Sequence, residues 1–322
     1  MPPPPADATR PGAAERTRRL ALGAGLSSVV LQSLGPIIVR EGELPGATFA
    51  FHRLWVAAVV LTAVHLARGG RVTWQVLRVA APGGVAFALN VACFFEAVTR
   101  TSVANATVIG ALQPVVLMLL SNRLFAERVR PHDVAWTTVA VAGVAVVVFG
   151  SSAARTGDAV GDVLAFVAMV LFAWYYIASR HARVTLGALE YQAALSIVAT
   201  LTLLPVLLVL GRQFAAPHPV SWVWIATMVA VPGTGHLLTN FAQPHVRLAV
   251  LGLMTLYVPV GSTVMAWAFL GEHVVALQVA GMLMVVSALA LVVTRDARRG
   301  MARRTGAARA WRGRRAAAAP GD

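Results

Sequence analysis

Few residues inside the apolar runs of this sequence can do chemistry, and most stand alone. Arg53 lies six or so residues into one run, on the order of 9 Å deep at roughly 1.5 Å per residue. Glu96 lies a few residues from the same-side end of the next run. A cation and a carboxylate at similar depth predict a pair. A pair that stays closed is structural; one that opens is a recognition or coupling device, with Glu96 as the carboxylate best placed to carry a proton. His236, about six residues from the end of a later run, has the side chain suited to proton-linked work, or is simply satisfied by a neighbour. Asn90, Gln113 and Asn240 either line a cavity or hydrogen-bond between helices. Tyr257 stands two residues before Pro259 and is a cavity candidate. Trp174, Tyr175 and Tyr176 form an aromatic cluster that fits an interfacial belt or a cavity wall. Trp174 and Tyr175 point about 100° apart on a helix, so one cavity does not take both. His52 and His65 flank the run that holds Arg53.

The elements that carry these residues are long and apolar. The chain is 58% hydrophobic and 12% charged, against about 25% charged in a soluble domain. Apolar segments fall at about 20–39, 47–67, 78–98, 103–121, 133–150, 162–179, 190–210, 222–242, 247–269 and 275–294. Runs of this length cross a hydrocarbon core of about 30 Å as helices. The expectation is an all-α polytopic membrane protein with ten transmembrane helices. Residues 1–19 read as a disordered tail, 20–150 as a first five-helix unit and 151–161 as a linker. Residues 162–294 read as a second unit and 295–322 as a basic tail.

All 27 cations are arginine, and they are unevenly placed. With the N-terminus set in the cytoplasm, 22 fall in cytoplasmic tails and loops, while Arg40, Arg100, Arg155 and Arg212 fall outside. This bias predicts both termini in the cytoplasm of a cytoplasmic-membrane protein, with the loop from Arg155 to Asp158 external. The net charge of +14 sits in tails and loops rather than on one face, so it does not indicate a nucleic-acid partner. Cys93 is the sole cysteine and makes no internal disulfide. No metal-ligand spacing, nucleophile elbow or phosphate-cradling loop occurs. The reading therefore contains no catalytic residue, metal or cofactor, and GAGLSS near residue 23 lies inside a span with no preceding strand.

The halves repeat. Pro114 precedes Glu127 by the same thirteen residues that separate Pro259 from Glu272, a shift of 145 along the chain. The same shift aligns Ala97 with Ala242, Ala104 with Ala249 and Val129 with Val274. Five helices per unit is an odd number, so the second unit inserts upside down: two inverted five-helix repeats, an architecture of secondary transporters. Pro114 and Pro259 remove intrahelical hydrogen bonds and make a hinge or a packing kink. Glu127 and Glu272 end their helices and act structurally, by capping the helix that follows.

On these residues the chain resembles the EamA-type family of the drug/metabolite transporter superfamily. The duplicated proline-to-glutamate spacing carries the resemblance. So do FAFHRLWVAAVVL, with Arg53 at the family's arginine position; FFEAVTRTSVANATVIGALQP; and GDVLAFVAMVLFAWYYIASR, with Gly161 and Trp174 in place. It covers about 20–294, and departs at Glu96, where the family has an uncharged residue, and at Ala193, where a counterpart of Arg53 would lie. The resemblance implies ten spans, inverted repeats and transport of small metabolites, amino acids or drugs, often outward. The partners are then a small-molecule substrate and the bilayer, with protons and a homodimer left open. An intramembrane lipid-modifying enzyme is the alternative, and it needs a cluster of His, Asp or Glu at one depth; a non-transporting scaffold or sensor has no need of inverted halves.

Overall fold

A computed structural model describes residues 11–42, 44–100, 103–125, 129–150, 159–209, 211, 217–271 and 273–295. The described residues are helical, with no strand among them. In order the helices are α1 (Pro11–Gln32), α2 (Gly35–Glu41), α3 (Gly46–Ala67), α4 (Trp74–Arg100), α5 (Val103–Gly110), α6 (Gln113–Phe125) and α7 (Pro131–Gly150). The second half has α8 (Ala159–Ala182), α9 (Ala188–Val209), α10 (Pro219–Ala230), α11 (Pro232–Ala242), α12 (Leu248–Thr255) and α13 (Tyr257–Leu270). The last helix, α14 (Ala276–Arg295), completes it.

Nine stretches among the described residues are long and apolar enough to cross a membrane. The tenth crossing is α10 with α11, divided at Val231. Four crossings are broken this way, and each break falls at or just before a proline: Pro36, Pro114, Pro232 and Pro259. Proline lacks the N–H that would bond the carbonyl four residues back, and neighbouring helices supply partners near the gaps. Ser262 Oγ donates to the Ser33 carbonyl at 2.8 Å across from α13. Thr255 Oγ1 donates to Gln113 Oε1 at 3.3 Å, linking the break of the fourth crossing to that of the ninth. Pro82 and Pro205, by contrast, lie inside unbroken helices.

The halves interlock through equivalent pairs. The third crossing of the first half, α4, packs on the first of the second, α8; reciprocally α11 packs on α1. The second crossings of the two halves, α3 and α9, lie against each other, and α6 meets α12. This exchange is what a pseudo-two-fold axis in the membrane plane produces. Small residues set the distances. The backbones of α7 and α14 approach so closely that a Cβ on Gly143 would lie 2.8 Å from the Gly281 carbonyl oxygen. Apolar side chains such as Val163, Phe166, Leu201 and Leu208 are left exposed on the outside of the bundle, as contact with lipid requires.

One expectation is corrected here. The tail expected to be disordered over 1–19 is helical from Pro11, where Ala13 and Ala14 favour a helix and Arg19 pairs with Glu15 one turn earlier at 2.9 Å. The proposed ends of the fourth and ninth crossings, Glu127 and Glu272, lie outside the described residues, as do Arg155, Asp158 and the basic tail after Arg295. At the end of the bundle that carries the α8–α9 turn, Arg247 donates to Asp133 Oδ2 at 3.0 Å, tying the α11–α12 turn to the start of α7.

Candidate solute site

A narrow cleft of about 30 Å³ opens between the halves, room for about one or two waters. From the first half, α3 contributes Arg53, Leu54 and Ala57, and α4 contributes Phe87. From the second, α9 contributes Gln192 and Ser196, α10 Met228 and Val229, and α11 Gly233 and His236. Helical spacing explains the pairing: Gln192 and Ser196, like Val229, Gly233 and His236, recur at three- and four-residue intervals and so share a face. The Arg53 guanidinium lies over the Phe87 ring, 5.6 Å from its centroid. The His236 ring meets Phe87 edge-on at 5.3 Å.

Behind the cleft a buried polar chain runs toward the α8–α9 turn. Asn240 is its hub. Its amide Nδ2 donates to Gln192 Oε1, and its Oδ1 accepts from the Tyr175 hydroxyl at 3.3 Å. Its backbone carbonyl accepts from Arg183 Nε at 2.8 Å. Tyr191 and Ser179 share a hydroxyl hydrogen bond of 2.6 Å nearby. Tyr175, Tyr191 and Asn240 have no exposed surface, so each needs these partners. In the turn itself, burial pulls the Arg183 guanidinium below its usual value, while Tyr191 and Glu190 hold it up. Burial, followed by the Arg183 charge, lowers the His245 imidazole.

Of the residues singled out in the sequence, Arg53, Tyr175, His236 and Asn240 come together here. The others do not. Arg53 and Glu96 form no pair: Glu96 Oε1 accepts from Arg100 Nε at 2.9 Å. The reason is that α4 runs on to Arg100, which gives the carboxylate a partner one turn away. Trp174 is half exposed on the outer surface while its neighbour Tyr175 is fully enclosed, as their angular offset demands. Asn90 Nδ2 donates to the Ala168 carbonyl at 2.8 Å and so joins α4 to α8. Gln113 and Pro114 belong to the break between α5 and α6, and Pro259 to the first turn of α13. Tyr257 packs beside Gly261 at the start of α13. Phe87, Gln192, Ser196 and Gly233 were not anticipated. Gln192 and Ser196 left a signal, two polar residues one turn apart in the largely apolar run QAALSIVA. Among the described residues no group of three or more His, Cys, Asp or Glu could hold a metal ion.

A lined cleft between inverted halves is the arrangement of a carrier. The sequence pattern of the EamA-like transporter family matches residues 19–149 and again residues 159–294. The chain belongs to that family. Its two five-helix halves are two copies of one EamA unit, in agreement with the exchanged packing. The chain is similar to the pseudopaline exporter CntI of Pseudomonas aeruginosa strain PAO1, 26% identical over 266 residues, which span 80% of this chain and 90% of the exporter. The same protein from strain UCBPP-PA14 matches at the same identity and coverage. A crystal structure 22% identical in sequence shares the fold, with a TM-score of 0.73 over 87% of this chain and 98% of its own. This EamA chain is thus a multi-pass membrane protein of a transporter family.

Proposed function

We propose that the protein is a secondary transporter that exports a small solute across the cytoplasmic membrane by alternating access, with both termini in the cytoplasm. The observation that carries this reading is the cleft: polar residues from both inverted halves face one space between them. Alternating access needs a site shared by two units that can rock against each other. The proline breaks of the fourth and ninth crossings give symmetry-related points at which the packing can change. The similarity to an exporter supports the outward direction, and the arginine bias supports the orientation. In the present conformation the cleft holds about one or two waters, so a solute enters only when the halves part.

Gly233 offers a direct test. A Cβ added there meets only the Met228 carbonyl oxygen, at 3.5 Å, an ordinary contact. Gly233→Leu therefore roots its side chain without a clash at Cβ and projects it into the cleft. The expected result is a monodisperse protein with a near wild-type melting temperature whose export activity, followed in cells by metabolite appearance in the medium, falls to the level of empty-vector cells. Wild-type export by the plugged variant would place the solute path elsewhere.

A further inference from the structure

We infer that the cleft is a binding site for an anionic solute, whose carboxylate or comparable anionic group is taken by Arg53; this rests on the transporter reading above. Arg53 lies deep in α3, with no partner carboxylate among the described residues. Its neighbour is an aromatic face, Phe87. A guanidinium has five donors and no acceptor, and placing one within a membrane helix is costly, up to about 2.5–3.5 kcal/mol at the helix centre on insertion scales. The fold accepts that cost without the acidic partner that normally offsets it. Glu96, the carboxylate expected to pair with Arg53, is taken by the Arg100 side chain instead.

The rest of the cleft points the same way. No Asp or Glu lines it. Gln192 commits its Oε1 to Asn240, which leaves its Nε2 donors for the cleft it lines. Ser196 gives its one hydroxyl proton to the Gln192 carbonyl at 2.8 Å and adds no donor, so the donors in the cleft come from Arg53 and Gln192. The polar wall thus presents a fixed cation and amide donors from opposite halves of the molecule. An anion bound between Arg53 on α3 and Gln192 on α9 touches both repeats, so its charge is felt by the elements that must move. A neutral solute of the same shape leaves the guanidinium unpaired, and discrimination of this kind is strong because a buried group is stranded.

Cells producing wild type, Arg53→Gln, Arg53→Lys or the plugged Gly233→Leu variant test this, with the medium analysed by untargeted mass spectrometry. The compounds that wild type releases above the plugged control are expected to carry a carboxylate or other anionic group. Their release should fall at least about 30-fold in Arg53→Gln and return in part in Arg53→Lys, which keeps the charge but not the fork. Neutral compounds in the wild-type set, or anion release undiminished in a folded Arg53→Gln, would overturn the inference and leave the transporter reading standing. If Arg53→Gln does not fold, the chemical class of the wild-type set alone decides. No release above control by wild type would bring down the transporter reading and this inference with it.

Discussion

Substituting Gly84 by valine is expected to abolish recovery of folded protein, or to lower its melting temperature far more than any outward-facing change. A Cβ at this position would lie 2.7 Å from Cβ and Cγ1 of Val198 and 3.1 Å from the Leu195 carbonyl oxygen. Neither obstacle is the mobile end of a side chain: one is a β-carbon tied to the backbone of α9, the other is that backbone itself. Overpacking of a tight interface costs about 1–3 kcal/mol and sometimes more, and without a hydrophobic drive between helices in lipid, close packing is much of what holds them together. The crossing also flanks the cleft, since Phe87 lies one turn along α4 and Gln192 one turn back along α9. Alanine sharpens the test through the sign of its effect. Away from contacts, Gly→Ala inside a helix stabilises by about 1 kcal/mol. Gly23 has no atom within 4 Å of a would-be Cβ, so Gly23→Ala should leave the melt unchanged or raise it, whereas Gly84→Ala should lower it. Equal melts for the two alanine variants, or a wild-type melt for Gly84→Val, would mean that α4 and α9 do not cross this closely.

Much of this architecture was legible in the residues, and the reasons are physical. A span must be apolar for about twenty residues, so composition alone located the crossings, and the spacing from Pro114 to Glu127 and from Pro259 to Glu272 exposed the duplication. The division of the eighth crossing at Val231 was less visible: Pro232 is plain in the sequence, but Pro82 and Pro205 sit in unbroken helices, so proline alone does not separate a kink from a break. The expected pair of Arg53 and Glu96 failed for a different reason. Counting residues from the end of a run gives depth but no azimuth, and a carboxylate finds the arginine one turn away on its own helix before one on another. Azimuth also decided between Trp174 and Tyr175, adjacent in sequence and opposite in environment. Gln192 went unremarked because it lies within one turn of the start of its helix, where a polar residue is ordinarily solvated. In the folded protein it is buried and its side chain accepts from Asn240 on α11.

Replacing Asn240 by leucine should produce the largest loss among the buried polar residues, and a double substitution should show why. The side chain joins three helices: it accepts from Tyr175 on α8 and donates to Gln192 on α9 from its own place on α11. Leucine has a similar volume, so the change removes hydrogen bonds more than packing. It removes the Asn240 acceptor from the Tyr175 hydroxyl, which keeps Ser179 beside it, and takes the donor from Gln192 Oε1, at about 1–3 kcal/mol for a group left unsatisfied. The Arg183 bond to the Asn240 backbone carbonyl is untouched, so the α8–α9 turn should stay in place and the protein should remain folded. Gln192→Leu removes the facing partner and strands only the Asn240 amide. In Asn240→Leu/Gln192→Leu both members of that pair are gone and neither amide is stranded, so the double variant should be less destabilised than the sum of the singles. The coupling measured by thermal or denaturant melts in detergent should fall near 0.6–1.7 kcal/mol, roughly the span found for interhelical hydrogen bonds in a membrane bundle. Transport should fall in all three variants, because Gln192 is held at the cleft wall by this bond. Strict additivity of the melts would show that Asn240 and Gln192 do not share a hydrogen bond, and the polar chain behind the cleft would then end at Tyr175.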